Sequence, residues 1–171
     1  MKYIYSSLIH SHLNYGILLW GFECEKIFKL QKKAIRILTN SQYLAHTNPL
    51  FRNEKILKVE DIFRLHCYKL FYAYIHNKLP INLSEFFKLD VNNSNQLTLE
   101  YFDVVDIYGK KRIKYFLPHM INNSPRAIID KVMTHSLPSY KFYAKQLMLN
   151  EYDCSPCVDL NCYACRRNTS V

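Results

Sequence analysis

The residues best suited to chemistry in this chain are four cysteines near its C-terminal end, Cys154, Cys157, Cys162 and Cys165, followed by Arg166-Arg167. Each Cys-x-x-Cys pair lets one turn present two thiolates to a single tetrahedral cation, and two such pairs make a closed structural zinc site. The spacer between the pairs is shorter than in a zinc ribbon and has the compactness of a zinc knuckle. It departs from the knuckle pattern because no histidine stands between the outer cysteines. Zinc is the cofactor this set suits first; reduced thiols come next, with disulfides or an iron–sulfur cluster behind them. Cys24 and Cys67 are isolated. His66 adjoins Cys67, but neighbours on a helix diverge by about 100°, so the pair reads as a buried thiol and a satisfied core histidine. His10 and His12 read as exposed. The chain has no G-x-S-x-G, H-E-x-x-H or P-loop pattern and no adjacent pair of aspartates, so no catalytic constellation offers itself.

The charges point to a polyanion. The net charge is +9, of which residues 1–80 carry +7, residues 81–150 carry +3 and residues 151–171 carry −1. A basic N-terminal half suits a nucleic-acid backbone, with ordinary solubility charge as the competing reading. The stretch Glu25–Phe51 concentrates that charge. Wound at 3.6 residues per turn, it places Ile27, Leu30, Ala34, Ile35 and Leu38 on one arc and Lys26, Lys29, Lys32, Lys33 and Arg36 on the other. Asn40 and Ser41 read as its stop, and Asn48-Pro49 as a turn. A second basic set, Lys110, Lys111, Arg112 and Lys114, is interleaved with Ile113, Tyr115 and Phe116. Such a mixture can hold phosphates while stacking bases; a lysine-guarded edge strand is the equal alternative.

The run Leu30-Gln31-Lys32-Lys33-Ala34-Ile35-Arg36-Ile37, followed by Ala45-His46-Thr47 and Pro49-Leu50-Phe51 and preceded by Leu13-Asn14-Tyr15-Gly16 and Trp20-Gly21, resembles the segment after the polymerase core in non-LTR retrotransposon reverse transcriptases of the jockey- and CR1-like group. The resemblance covers about the first 80 residues in order and spacing. Weaker likeness to the family's variable tail extends through Tyr108-Gly109-Lys110-Lys111, Leu117-Pro118, Ile121–Pro125 and Thr134–Leu137. It implies a thumb-like region that grips RNA or an RNA–DNA hybrid beside the palm of the parent polyprotein, RNA-directed DNA polymerase being the parent activity. Two-metal nucleotidyl transfer needs clustered carboxylates, which the family carries in the palm. This chain's match begins after it, so no enzymatic activity is expected. Because the family's palm runs directly into this segment, the resemblance also implies that Met1 falls inside a structure. The rival function is a helical protein-interaction module whose basic face docks an acidic partner; a degraded copy without function is a third reading.

The elements that must position these residues read as mainly helical. Residues 3–20 form a helix with Ile4, Leu8, Tyr15 and Leu19 packed on the basic helix. Val59–Asn77 is the longest helix, with Glu60 and Asp61 in its first turn and Pro80 beyond its end. Its inward stripe is Val59, Ile62, Phe63, His66, Leu70 and Tyr74. Leu89–Gln96 is a polar boundary, and a short strand pair flanks Tyr108-Gly109-Lys110. A short helix from Pro118, a Ser124-capped helix with Pro125 in its first turn, and a last amphipathic helix over Pro138–Tyr152 follow. In that last helix Tyr140, Tyr143, Ala144, Leu147 and Met148 face inward. The expected organisation is a thumb-like helical region over 1–88, a connector with C-terminal helices over 89–150, and a Cys-rich tail over 151–171. Polar residues interrupt any leader-like apolar run at the start, and no run of 18 apolar residues exists. The chain therefore reads as intracellular, in nucleus or cytoplasm, and not secreted.

Overall fold

The computed structural model describes residues 2–90, 97–102 and 112–152. It is mostly helical, built around α6 (Val59–Ile75). Before α6 come α1 (Lys2–Ile4), a π-helical Tyr5–His10, α2 (Ser11–Asn14), α3 (Ile17–Trp20), a 3-10 turn Gly21–Glu23, α4 (Glu25–Leu38) and α5 (Thr47–Asn53). After it come α7 (Ile81–Ser84), β1 (Leu89–Asp90), β2 (Thr98–Leu99), α8 (Ile113–Asn122), α9 (Arg126–Thr134) and α10 (Leu137–Glu151).

Helix α6 is covered on most of its circumference, with α2, α3, α4, α8, α9 and α10 all packed against it. That is why its buried residues do not make one stripe. Val59, Ile62, Cys67, Tyr68 and Phe71 are fully enclosed, whereas Phe63, His66, Leu70 and Tyr74 from the expected stripe are only half-buried. Contacts join the segments on either side of residue 89: the Tyr72 and Tyr140 rings lie 5.5 Å apart, and the Tyr68 and Ser124 hydroxyls bond at 2.9 Å.

Three helices end alike. Asn40, Lys55 and Asn77 have positive φ of 50°, 53° and 54°. Around each, the next two amides return to carbonyls of the last turn, as in Ile56 N–H to Phe51 O at 2.9 Å and Ser41 N–H to Arg36 O at 2.9 Å. This is the left-handed C-terminal cap in which Gly or Asn is usual. Asn40 thus stops α4 where the sequence places its stop.

Other expectations are corrected. The N-terminal stripe is reversed: Ile4, Leu8, Tyr15 and Leu19 face solvent, Leu19 at 89 % exposure, while Tyr5, Leu13 and Ile17 are buried, with α2 and α3 packed against α6. Alternative stripes one or two positions apart were both apolar enough, and the break at Tyr15-Gly16, with Gly16 at φ 59°, resets the helical phase. Gly21 marks the closest approach to α6: a Cβ there would meet Phe63 Cδ2 at 2.5 Å and Ile17 Cγ1 at 2.9 Å. Pro49 lies in the first turn of α5, where its missing N–H costs nothing, and the His46 ring caps that helix by accepting from Asn48 N–H at 3.3 Å.

The turn Tyr108-Gly109-Lys110 of the expected strand pair lies outside the described residues; a different pair flanks the Asn-rich stretch, Leu89 with Leu99 and Asp90 with Thr98, antiparallel. The side chain of Asn122 closes its open edge, bonding Leu99 N–H at 2.9 Å and Leu99 O at 2.8 Å. Residues 113–116, read as one arm of the pair or a guarded edge, are the start of α8. Pro118 sits inside α8, and Ser124 donates to Met120 O rather than capping α9.

Candidate nucleic-acid interface

Helix α4 is rotated from its expected setting by about one-sixth of a turn. Its innermost residues are Ile35 and, at 2 % exposure, Gln31. Gln31 is a buried staple. Its amide donates to Tyr5 Oη and to Leu57 O, each at 2.9 Å, and its carbonyl accepts from Val59 N–H at 2.8 Å. One side chain thereby ties α4 to the N-terminal helix and caps the first residue of α6. The satisfied amide removes the usual cost of burying it. An alternation of apolar and polar letters cannot announce such a residue; only its isolation amid lysines sets it apart.

The rotation decides which charges face water. Lys26, Lys29 and Lys33 lie on the solvent side. Leu30, expected inside, is 64 % exposed beside them, and Ile37 is 73 % exposed. Lys32 and Arg36 sit on the flank, half-buried. Lys32 Nζ lies 4.5 Å from the Phe28 ring centre, and Arg36 Nε donates to Ala45 O at 2.9 Å. On the same flank stand two residues missed in the sequence. His46 is held below its ordinary basicity first by burial and then by the fields of Lys58, Lys32 and Arg36. Lys58 Nζ lies 4.3 Å over the Tyr152 ring. The basic surface therefore extends from the outer face of α4 to the start of α6, with Glu25 and Glu60 as nearby acidic groups.

Beneath Lys58 lies a polar junction. Tyr152 Oη donates to buried Asp61 and accepts from Lys58 N–H at 2.9 Å. Arg64 bonds Asp61 at 3.3 Å and reaches Glu151 at 3.7 Å. Burial first, then the Asp61 charge, hold the phenol far above its ordinary range, so it stays a donor.

The second basic set is placed differently. Arg112 precedes α8 and Lys114 lies in its first turn, with Lys114 Nζ 4.2 Å over the Phe102 ring. Helix α8 packs on α6 and β2. Phe116 is buried, 5.1 Å from the Phe63 ring, and half-buried Tyr115 packs tilted against His119 at 4.5 Å. Phe116 is thus used internally. Lys110, Lys111, Cys154, Cys157, Cys162 and Cys165 lie outside the described residues, and no His/Cys/Asp/Glu cluster able to hold a metal occurs among the described ones. Cys24 and Cys67 are buried free thiols, pushed up by burial to about 11 and about 12. His66 bonds Asn14 Oδ1 at 3.1 Å. No described helix is long and apolar enough to cross a membrane.

No family model, curated protein or solved structure matches this chain.

Proposed function

We propose that this chain is the post-palm, thumb-like region of a non-LTR retrotransposon reverse transcriptase, and that by itself it binds RNA or an RNA–DNA hybrid without sequence preference through the α4 face. The observation that carries the binding reading is Lys26, Lys29 and Lys33 turned to solvent on one helix, flanked by Lys32, Arg36 and Lys58. Lysines on a convex helix contact phosphates as point charges and read no base edges. The chain supplies no catalysis in this reading, because its sequence has no adjacent aspartates to hold two cations. Zinc held by Cys154, Cys157, Cys162 and Cys165 belongs to the same proposal and is tested by metal content after exhaustive dialysis.

The test is a salt titration of duplex and single-stranded RNA binding. Each lost phosphate contact flattens the slope of log K against log salt by about 0.7–0.9, so Lys26/Lys29/Lys33→Gln removes about 2–3 from it. An unchanged slope refutes the interface. Exposed Leu30 and Ile37 among the lysines favour a second reading, an acidic amphipathic protein partner docked on the same face. Competition separates the two: unlabelled RNA displaces a labelled RNA under the first, and an acidic helical peptide binds tighter than RNA under the second.

A further inference from the structure

A cleft of about 170 Å³ opens between the N-terminal helix, the α5–α6 link and α10, lined among others by Lys2, Tyr5, His10, Lys55 and Lys145. It is smaller than the roughly 300–1,000 Å³ that drug-sized ligands occupy, so its occupant is small. Three lysines line it. Only Lys2 has a carboxylate partner there, Glu54 at 3.8 Å, and it also donates to the Glu54 carbonyl. No ion pair is formed by Lys55 or Lys145 among the described residues. The Nδ1 atom of His10 is buried with no hydrogen-bond partner. A buried polar atom without a partner costs about 1–3 kcal/mol, and here it belongs to a ring that lines a lysine-rich cleft, with the atom itself enclosed behind the wall. The sequence had suggested an exposed His10; the π-helical turn swings it inward beside Tyr5, ring centres 6.5 Å apart.

The backbone adds an independent sign. Of the three helices with a left-handed C-terminal residue, two use Asn; α5 uses Lys55. A long side chain in that conformation is disfavoured by about 1–2 kcal/mol relative to Gly, and such strain persists where a side chain's position matters. The cap sets Lys55 among the residues that line the cleft. Burial and then the fields of Lys2 and Lys55 hold Lys145 below its ordinary basicity, and burial and then Lys145 do the same to His10. An anion would offset the repulsion among these cations.

We propose that this cleft is a phosphate site, in which Lys55 and Lys145 neutralise the anion, Lys2 closes the rim and the His10 ring forms part of the wall. It is separate from the α4 face and does not depend on the proposed function. The shared chemistry is a phosphate group, whether free or at the end of a nucleic acid.

The experiment uses the full chain with its His side chains labelled for NMR and inorganic phosphate as the probe, against chloride at equal ionic strength. Phosphate moves the His10 resonances saturably and leaves those of His12 in place. Lys55→Asn removes the charge while supplying the residue that caps α4 and α6, so it keeps or raises the melting temperature and weakens phosphate binding about tenfold or more; Lys145→Gln does likewise. Lys29/Lys33→Gln leaves the affinity unchanged. A His10 response no larger than that in chloride overturns the site, as does a Lys55→Asn protein that folds and binds phosphate like the parent. A 5′-phosphorylated tetranucleotide and its 5′-hydroxyl counterpart identify the source. Tighter binding of the phosphorylated one than of free phosphate marks a nucleic-acid end, and binding of free phosphate alone marks a small ligand; either result keeps the site. A 5′-hydroxyl oligonucleotide that moves His10 as strongly as its phosphorylated twin overturns it.

Discussion

The outer face of α4 and the cleft beside His10 are both basic, yet they are built to opposite plans. On α4, Lys26, Lys29 and Lys33 stand exposed on a convex helix, with Lys32 resting on Phe28 at the flank. The cleft is instead a concavity lined by three lysines, one at a left-handed backbone position, and by an imidazole ring whose enclosed Nδ1 has no partner. A convex array acts by summation: any phosphates at the right spacing serve, and salt weakens the result steadily. A concave array focuses its field and excludes what does not fit. Charge content alone, which is the same sign and similar density in both, does not separate them; curvature and desolvation do.

The largest expected effect strikes both surfaces together. Gln31→Leu leaves Val59 N–H and Leu57 O without their partner and frees Tyr5 Oη. At about 1–3 kcal/mol for each buried group left unsatisfied, a loss of about 3 kcal/mol is expected from the urea midpoint. Both RNA and phosphate affinity should fall, because the same amide sets the rotation of α4 and positions the cleft wall. Retained RNA binding would mean that the α4 face is set by apolar packing alone.

Gly21→Ala should separate them. The added methyl would lie 2.5 Å from Phe63, and such overpacking costs about 1–3 kcal/mol. It pushes the N-terminal helix off α6, so phosphate binding should weaken while the RNA salt slope stays. Equal damage to both would show the two surfaces to be one mechanical unit.

Acid sharpens the concave side. Burial first, then Lys69, His10 and Lys141, hold His66 at about 4 against an ordinary 6.5. As pH falls below 6.5 the unfolded chain takes up a proton that the folded chain refuses until about pH 4, so stability drops across that window. The loss at pH 5.5 should be about 1 kcal/mol after allowing for partial solvation. His66→Gln should flatten this part of the stability–pH curve; an unaltered curve would place the titration elsewhere.

The smallest effect lies within the convex face. Lys33→Gln should reduce the salt slope by about 0.7–0.9, and Lys32→Gln by less, because the Lys32 ammonium already rests on Phe28. Equal changes would show that the cation–π contact yields to phosphate.

Much of the helical frame was legible. The start of α6, its acidic first turn and the span of α10 follow from apolar period and helix-end chemistry, and Tyr140, Ala144 and Met148 are buried as the period requires. What failed was phase. Ile4, Leu8, Tyr15 and Leu19 and the neighbouring Tyr5, Leu13 and Ile17 are both apolar at helical spacing, and only the break at Gly16 chooses between them. The same ambiguity let Leu30 exchange places with Gln31, because a glutamine with three partners buries as readily as a leucine. His10 was illegible for a related reason: its burial depends on a π-helical turn, which no residue pattern in that stretch encodes.

The clamp at Tyr152 has a consequence for how the chain comes into being. Its hydroxyl satisfies the backbone of Lys58, which lies 94 residues earlier, and the carboxylate of Asp61. On a ribosome, the start of the central helix therefore emerges long before the group that completes it. At about 5–20 residues per second, the interval is roughly 5–20 s. Throughout it Asp61 needs water, or another donor, in Tyr152's place. The nascent chain thus passes through a stage in which its central helix is wet at one end, and the residue just after the last described helix is the one that dries it.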